Sequence, residues 1–240
     1  MGKTTTAINL AYGLASMGRR VLLCDLDPQA SLSMALGIDP EAGSLADVIG
    51  GATPGRLSMA AIIQPIAAGL DLAPAALDLA GCELGLTARM GRESVLKKAL
   101  AGLGGYDAIL LDCPPSLGLL VVNALTAAHG VIAPVAPDKL GLRGLALFLG
   151  SLENIKAELN PGLAVLGALV CKFERRVTLH QAALSELQAG GVPVLGVIGK
   201  SVTAAASAGN GQPIAGGDLA GQYKALALEV DKWLKTKPAA

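Results

Sequence analysis

Aromatic side chains are nearly absent from this sequence, with one tryptophan, three tyrosines and two phenylalanines among 240 residues. So few rings cannot line a channel on which successive nucleobases stack. Tyr106, Phe148 and Phe173 therefore read as packing residues. Histidine is almost as scarce, and neither His129 nor His180 has acidic residues at metal-ligand spacing. Formal net charge is zero, from 19 basic and 19 acidic residues, so bulk charge steers the chain to neither nucleic acid nor an anionic membrane. Any DNA contact must come from a local patch.

The four cysteines, Cys24, Cys82, Cys113 and Cys171, are scattered without a C-x-x-C pair or a Cys/His cluster. That pattern argues against a zinc site and against a disulfide framework, and it fits a reduced, cytoplasmic setting. No apolar run reaches the roughly 18 residues that a membrane helix needs. The mean hydropathy of +0.54 is then the mark of a buried sheet.

What is abundant is small and aliphatic. Apolar residues make up 52% of the chain, with 31 glycines, as suits helices laid closely on a parallel sheet. The hydrophobic pattern predicts helices over 4–17, 29–36, 44–49, 117–128, 142–159, 178–189 and 216–234. One or two more are expected within 75–103. Continuous apolar runs predict buried strands over 20–27, 70–73, 107–112, 130–135, 163–170 and 193–198. Strands and helices alternate throughout, which predicts one α/β domain over residues 1–240, a mostly parallel sheet with helices on both faces.

Three polar clusters punctuate this apolar chain. Gly2-Lys3-Thr4-Thr5 opens the first helix. This is the second half of a phosphate-binding loop G-x-x-x-x-G-K-S/T, in which first-turn N–H groups and a lysine meet phosphate and a hydroxyl meets Mg²⁺. Asp25-Leu26-Asp27-Pro28-Gln29 ends one predicted strand, and Asp112-Cys113-Pro114-Pro115 ends another. Carboxylates at the carboxyl ends of parallel strands lie where open α/β sheets build their sites, and the second cluster has the form of a Walker B acid.

These clusters resemble, in order, the K-G-G-V-G-K-T-T, D-x-D-P-Q and D-x-P-P motifs of the ParA/MinD family of deviant Walker ATPases. The likeness is greatest to the ParA (Soj) partition branch, and it covers nearly the whole chain. It implies a single-domain P-loop NTPase of the SIMIBI type that binds ATP and Mg²⁺, dimerises on ATP and answers to a ParB-like activator. By the same match, Gly2, Lys3, Thr4 and Thr5 contact phosphates, Thr4 and Asp112 serve Mg²⁺, Asp25 belongs to the same network, and Asp27 and Lys3 carry hydrolysis. Nonspecific DNA binding in the ATP state, with nucleoid association, is implied as well. Its candidates here are Lys172, Arg175, Arg176, Lys200 and Lys224, within a stretch (171–240) of eight basic and five acidic residues.

Two departures from the family pattern matter. Met1 stands where the loop's valine belongs, and a GTG valine codon can be read as an initiating methionine. The expectation is an open reading frame that starts upstream, so that this chain lacks the first strand, the first half of the loop and the family's signature lysine. Such a chain is expected to fold poorly and bind nucleotide weakly, because the first strand belongs in the middle of the sheet. A naturally shortened, ATP-incompetent paralogue is the alternative. The second departure is Ile198-Gly199-Lys200-Ser201-Val202-Thr203 where partition ATPases read I-P-R-N-V-R, followed by Ala205 to Gly209 without the family's acid and proline. Competing classes are a MinD-like membrane ATPase, a redox ATPase with a bridging cluster, and a positioning ATPase for a protein cargo. For the membrane reading, Glu229 and Asp231 interrupt the apolar C-terminal helix, which favours a packed helix and no membrane contact.

Overall fold

The computed structural model describes residues 2–201 and 211–236. Expectations that fell on Met1, Val202, Thr203, Ala205 to Gly209, Lys237 and the final Pro238-Ala239-Ala240 lie outside the described residues.

Among the described residues, seven strands form two separate sheets. In the first, β1 (Val21–Asp25), β2 (Gln64–Ala67), β3 (Leu70–Ala73) and β4 (Ala108–Asp112) lie in the order β2-β3-β1-β4. All pairs are parallel except β2 with β3. The second holds β5 (Gly130–Val135), β6 (Ala164–Phe173) and β7 (Val194–Gly199), parallel and in that order. The antiparallel β2 escaped the sequence reading because Pro65 and the surrounding glycines mask a short edge strand, the one place where a sheet tolerates proline.

Ten helices cover these sheets among the described residues. They are α1 (Lys3–Ser16), α2 (Ser31–Ala35), α3 (Leu45–Ile49), α4 (Met59–Ile62), α5 (Asp78–Leu86), α6 (Val95–Leu100), α7 (Leu119–Ala127), α8 (Lys139–Glu158), α9 (Thr178–Ala189) and α10 (Gly217–Lys235). Helix α2 begins later than the sequence pattern predicts, because Ala30 takes a left-handed φ of 51° and residues 25–30 close into a loop. Helix α8 begins earlier, at the Asp138 cap, whose carboxylate accepts from the Gly141 N–H at 2.7 Å.

Strand β1 shows why the sheets are covered on both faces. Val21 and Leu23 point into a core built with α1 and α10, whereas Leu22 and Cys24 point into one built with α3, α5, α6 and α7. All five residues of β1 are buried. By contrast, Ile109, Leu110 and Leu111 of β4 and Gly130, Val131 and Ile132 of β5 are only half-buried. These two edges line a single cleft of about 730 Å³, whose walls include Lys3, Thr6, Ala7 and Leu10 of α1 and Val121 and Ala124 of α7. No described strand pairs with the open side of β4 or of β5.

Helices α1 and α10 hold the half-sheets together. Their shared core joins Leu23 and Leu70 of one sheet to Leu169, Cys171 and Ile198 of the other. The helices approach so closely that a Cβ on Gly13 would lie 2.7 Å from the Ala227 Cβ. Arg19 adds a polar clamp, with its Nε 2.8 Å from Asp231 Oδ1 on α10 and its Nη1 3.5 Å from Asp107 Oδ1 just before β4. Gly13→Val forces this contact apart and is expected to cost about 1–3 kcal/mol of stability. The checking measurement is the urea midpoint, which falls.

Candidate functional site

The site begins at the first turn of α1. Gly2 caps the helix with φ of 89°, a left-handed value that favours glycine, and its carbonyl accepts from the Thr6 N–H at 2.9 Å. The free N–H groups and positive dipole end at Lys3, Thr4 and Thr5 make an electropositive mouth. It faces the carboxyl ends of β1 and β4.

Parallel pairing sets the acids side by side. In the β1–β4 register Asp25 lies opposite Asp112, and the Leu26 N–H donates to the Asp112 carbonyl at 2.8 Å. Both carboxylates are buried, at 0% and 3% exposure. Burial pushes Asp112 up to about 7, and the Thr4 hydroxyl and Lys3 ammonium pull it back while Asp25 and Asp27 push it further. Lys3, Thr4, Asp25 and Asp27 thus all lie near enough to Asp112 to act on its carboxyl. Asp112 Oδ2 is buried without a hydrogen-bond donor. A buried carboxyl oxygen without a donor, beside a lysine and a threonine hydroxyl, suits a hard divalent cation, so the residues present fit Mg²⁺.

Asp25, expected in the same network, lies opposite Asp112 but spends its oxygens inside the protein. Its Oδ1 accepts from the Asp27 N–H at 3.1 Å, and its Oδ2 accepts from the Ser33 N–H at 2.9 Å and the Ser33 hydroxyl at 2.8 Å. Burial raises its pKa, and these bonds oppose the rise. Both oxygens are engaged within the protein, so Asp25 braces the loop that carries Asp27. Asp27 itself is half-buried, and its Oδ1 accepts from the Gln29 N–H at 3.0 Å. Next to Asp112, burial pushes the Cys113 thiol up to about 12, which keeps it protonated.

The candidate DNA residues lie elsewhere. Lys172, Arg175 and Arg176 are exposed at the end of β6 and in the turn to α9, and Lys200 follows β7. The Lys200 N–H donates to the Phe173 carbonyl at 3.0 Å, so these four sit together. The Lys200 ammonium lies 3.0 Å from Glu174 Oε1, which compensates its charge. Lys224 is exposed on α10. That helix buries Leu219, Tyr223, Leu226 and Val230 against the core, as a packed helix does. Among the described residues no helix is long and apolar enough to cross a membrane.

Sequence reading missed three residues. Ser33 gave no signal. Asn9 did, being a polar residue in an otherwise apolar helix. It is 5% exposed, donates to the Thr5 carbonyl at 2.8 Å and accepts from the Ile214 N–H at 2.8 Å. Gln222 accepts from the Gly199 N–H at 2.8 Å. Asn9 and Gln222 thus hold the chain on either side of residues 202–210.

The Asp112 environment makes a pH prediction. The folded carboxyl keeps its proton up to about pH 7, whereas an unfolded one loses it near about pH 4, so the ligand-free fold loses stability as pH rises between those values. Asp112→Asn is expected to flatten that fall, with the gain over the parent largest above pH 7. Urea midpoints measured from pH 4 to pH 8 test it.

Comparison with known proteins agrees with this geometry. Residues 1–165 match a family model described as AAA domain. The chain is 43% identical to the chromosome-partitioning ATPase Soj of Thermus thermophilus over 189 residues, covering 79% of this chain and 72% of that protein. It is 37% identical to the chromosome partitioning protein ParA of Caulobacter vibrioides over 241 residues, covering 96% and 89%. Among solved structures, the cobyrinic acid a,c-diamide synthase of Mycobacterium smegmatis with bound ATP analog and magnesium superposes with a TM-score of 0.84. That match has 37% identity and covers 99% of this chain and 92% of the other. With the α1 mouth set against Asp27 and Asp112, these matches show that the chain belongs to the ParA/MinD family of P-loop ATPases, on the side of its Soj/ParA branch.

Proposed function

We propose that this protein is an ATP- and Mg²⁺-dependent ATPase switch that partitions DNA, chromosomal or plasmid, through nucleotide-controlled dimerisation. The observation that carries the reading is the buried, donorless Asp112 Oδ2 beside Lys3 and Thr4 at the mouth of α1. Lys3 and the first-turn N–H groups neutralise phosphate charge, and Thr5 adds a hydroxyl to an inner phosphate. Thr4 and Asp112 hold Mg²⁺, which when bound supplies charge neutralisation for phosphoryl transfer. Asp27, at the rim of the same volume, orients the attacking water. Phosphoryl transfer depends on positioning and charge, so acids at two strand ends opposite a phosphate-binding turn are the parts it needs.

DNA contact falls to the exposed cluster of Lys172, Arg175 and Arg176, with Lys224 on α10. Phosphate contacts of this kind weaken steeply with salt. The names of the Soj and ParA relatives support the partition role, and a ParB-like protein is the expected activator.

Between the described edges of β4 and β5, one further parallel strand would pair with both. It joins two half-sheets into one and covers the half-exposed Ile109–Leu111. Fusing an apolar strand of five or six residues, the lengths of β4 and β5, with a glycine turn ahead of Gly2 is expected to raise the melting temperature and tighten ATP binding at least tenfold. Unchanged values in both measurements contradict the placement.

The function itself is tested at Asp27. Asp27→Ala is expected to abolish ATP turnover while ATP-dependent dimers persist in sedimentation. Undiminished hydrolysis removes Asp27 from its role, and a parent that neither binds nor hydrolyses ATP removes the function.

A further inference from the structure

The loop from Asp25 to Ala30 carries Asp27 and is tied internally around it. The Asp27 N–H is held by Asp25 Oδ1, the Asp27 carboxylate by the Gln29 N–H, and the Asp27 carbonyl by the Ala30 N–H at 2.8 Å. Asp25 is the anchor of this loop, and one of its two oxygens is committed to Asp27. The other is committed to Ser33.

Ser33 is 1% exposed and uses its hydroxyl in both directions. It donates to Asp25 Oδ2 at 2.8 Å and accepts from the Ala75 N–H at 3.0 Å. Ala75 follows β3 and is itself buried. A single hydroxyl therefore joins three segments: the exit of β1, the short helix α2 and the exit of β3. Helix α2 is also fixed from its far end, where Gly211 packs so tightly that a Cβ would lie 2.2 Å from the Ala35 carbonyl oxygen. A five-residue helix gains little from its own hydrogen bonds, so these outside ties decide where it sits.

We propose that Ser33 is a positioning residue for Asp27, acting through the Asp25 carboxylate that its hydroxyl orients and through the β3 exit that it grips. The inference rests on the ATPase reading for its kinetic consequence. Its structural content, that the Ser33 hydroxyl fixes the Asp27 loop, stands independently. Without the hydroxyl, Asp25 loses one of three donors and the buried Ala75 N–H loses its acceptor. The carboxylate is then free to turn, and the Asp27 backbone turns with it. Lys3, Thr4 and Asp112 keep their contacts because none of them passes through Ser33.

The test compares Ser33→Ala and Ser33→Thr with the parent, by steady-state kinetics, melting temperature and amide hydrogen exchange. Ser33→Ala is expected to lower kcat at least tenfold, with KM for ATP within threefold of the parent. Exchange at the Asp27, Gln29 and Ala75 amides is expected to quicken at least tenfold. Ser33→Thr retains a hydroxyl and is expected to keep kcat within threefold of the parent. Unchanged protection of the Asp27 and Gln29 amides in Ser33→Ala overturns the proposal. So does a lowered melting temperature with kcat unchanged, or a threonine variant as impaired as the alanine one. If the parent shows no turnover, the ATPase reading has failed, and the exchange measurement by itself decides the role of Ser33.

Discussion

The parallel register of β1 against β4 is the constraint on which the rest depends. It sets Asp25 opposite Asp112 and leaves Leu26 hydrogen-bonded to the Asp112 carbonyl. Two acids from strands more than eighty residues apart in the chain are thereby brought side by side at one sheet end. A slip of one residue would turn one of them into the opposite core. The apolar alternation of Val21 to Cys24 prevents that slip, since each face of β1 packs against a different set of helices.

Crowding acids in a dry place is costly, and the structure resolves the cost differently for each. Asp25 is satisfied by three internal donors from Asp27 and Ser33. Asp112 keeps a bare oxygen and is pushed toward neutrality. Asp27, half-buried at the rim, is held by a local turn. Similar side chains thus end in three different environments because burial and donors differ. The positive end of α1 supplies the complementary charge.

The divided sheet shows how much of this architecture α1 carries. Its apolar side bridges the half-sheets with α10, while its first turn forms the mouth of the site. The edges of β4 and β5 remain half-exposed along their cleft, unlike β1, which is buried throughout. Part-exposed backbone groups can reach water, so the cost of the open edges falls chiefly on apolar side chains left uncovered.

Much of this was legible in the order of residues. Strands such as 70–73 and 130–135 and helix 178–189 follow from local apolar periodicity, which each segment carries by itself. Gly2-Lys3-Thr4, Asp27 and Asp112 stand out in the sequence because phosphate and cation chemistry restricts residue type and spacing, and the fold brings Lys3, Thr4 and Asp27 close enough to act on Asp112. Proline and glycine hid β2, whose edge position alone makes it a strand. The internal role of Asp25, the double bond of the Ser33 hydroxyl and the grip of Asn9 on Ile214 were decided only in three dimensions. Each joins residues from different elements, and burial decides whether a serine or asparagine is surface decoration or a structural tie. Sequence determines which segments are strands and which side chains could bind a phosphate. Tertiary packing determines which carboxylate oxygen is left without a donor and so suited to a cation.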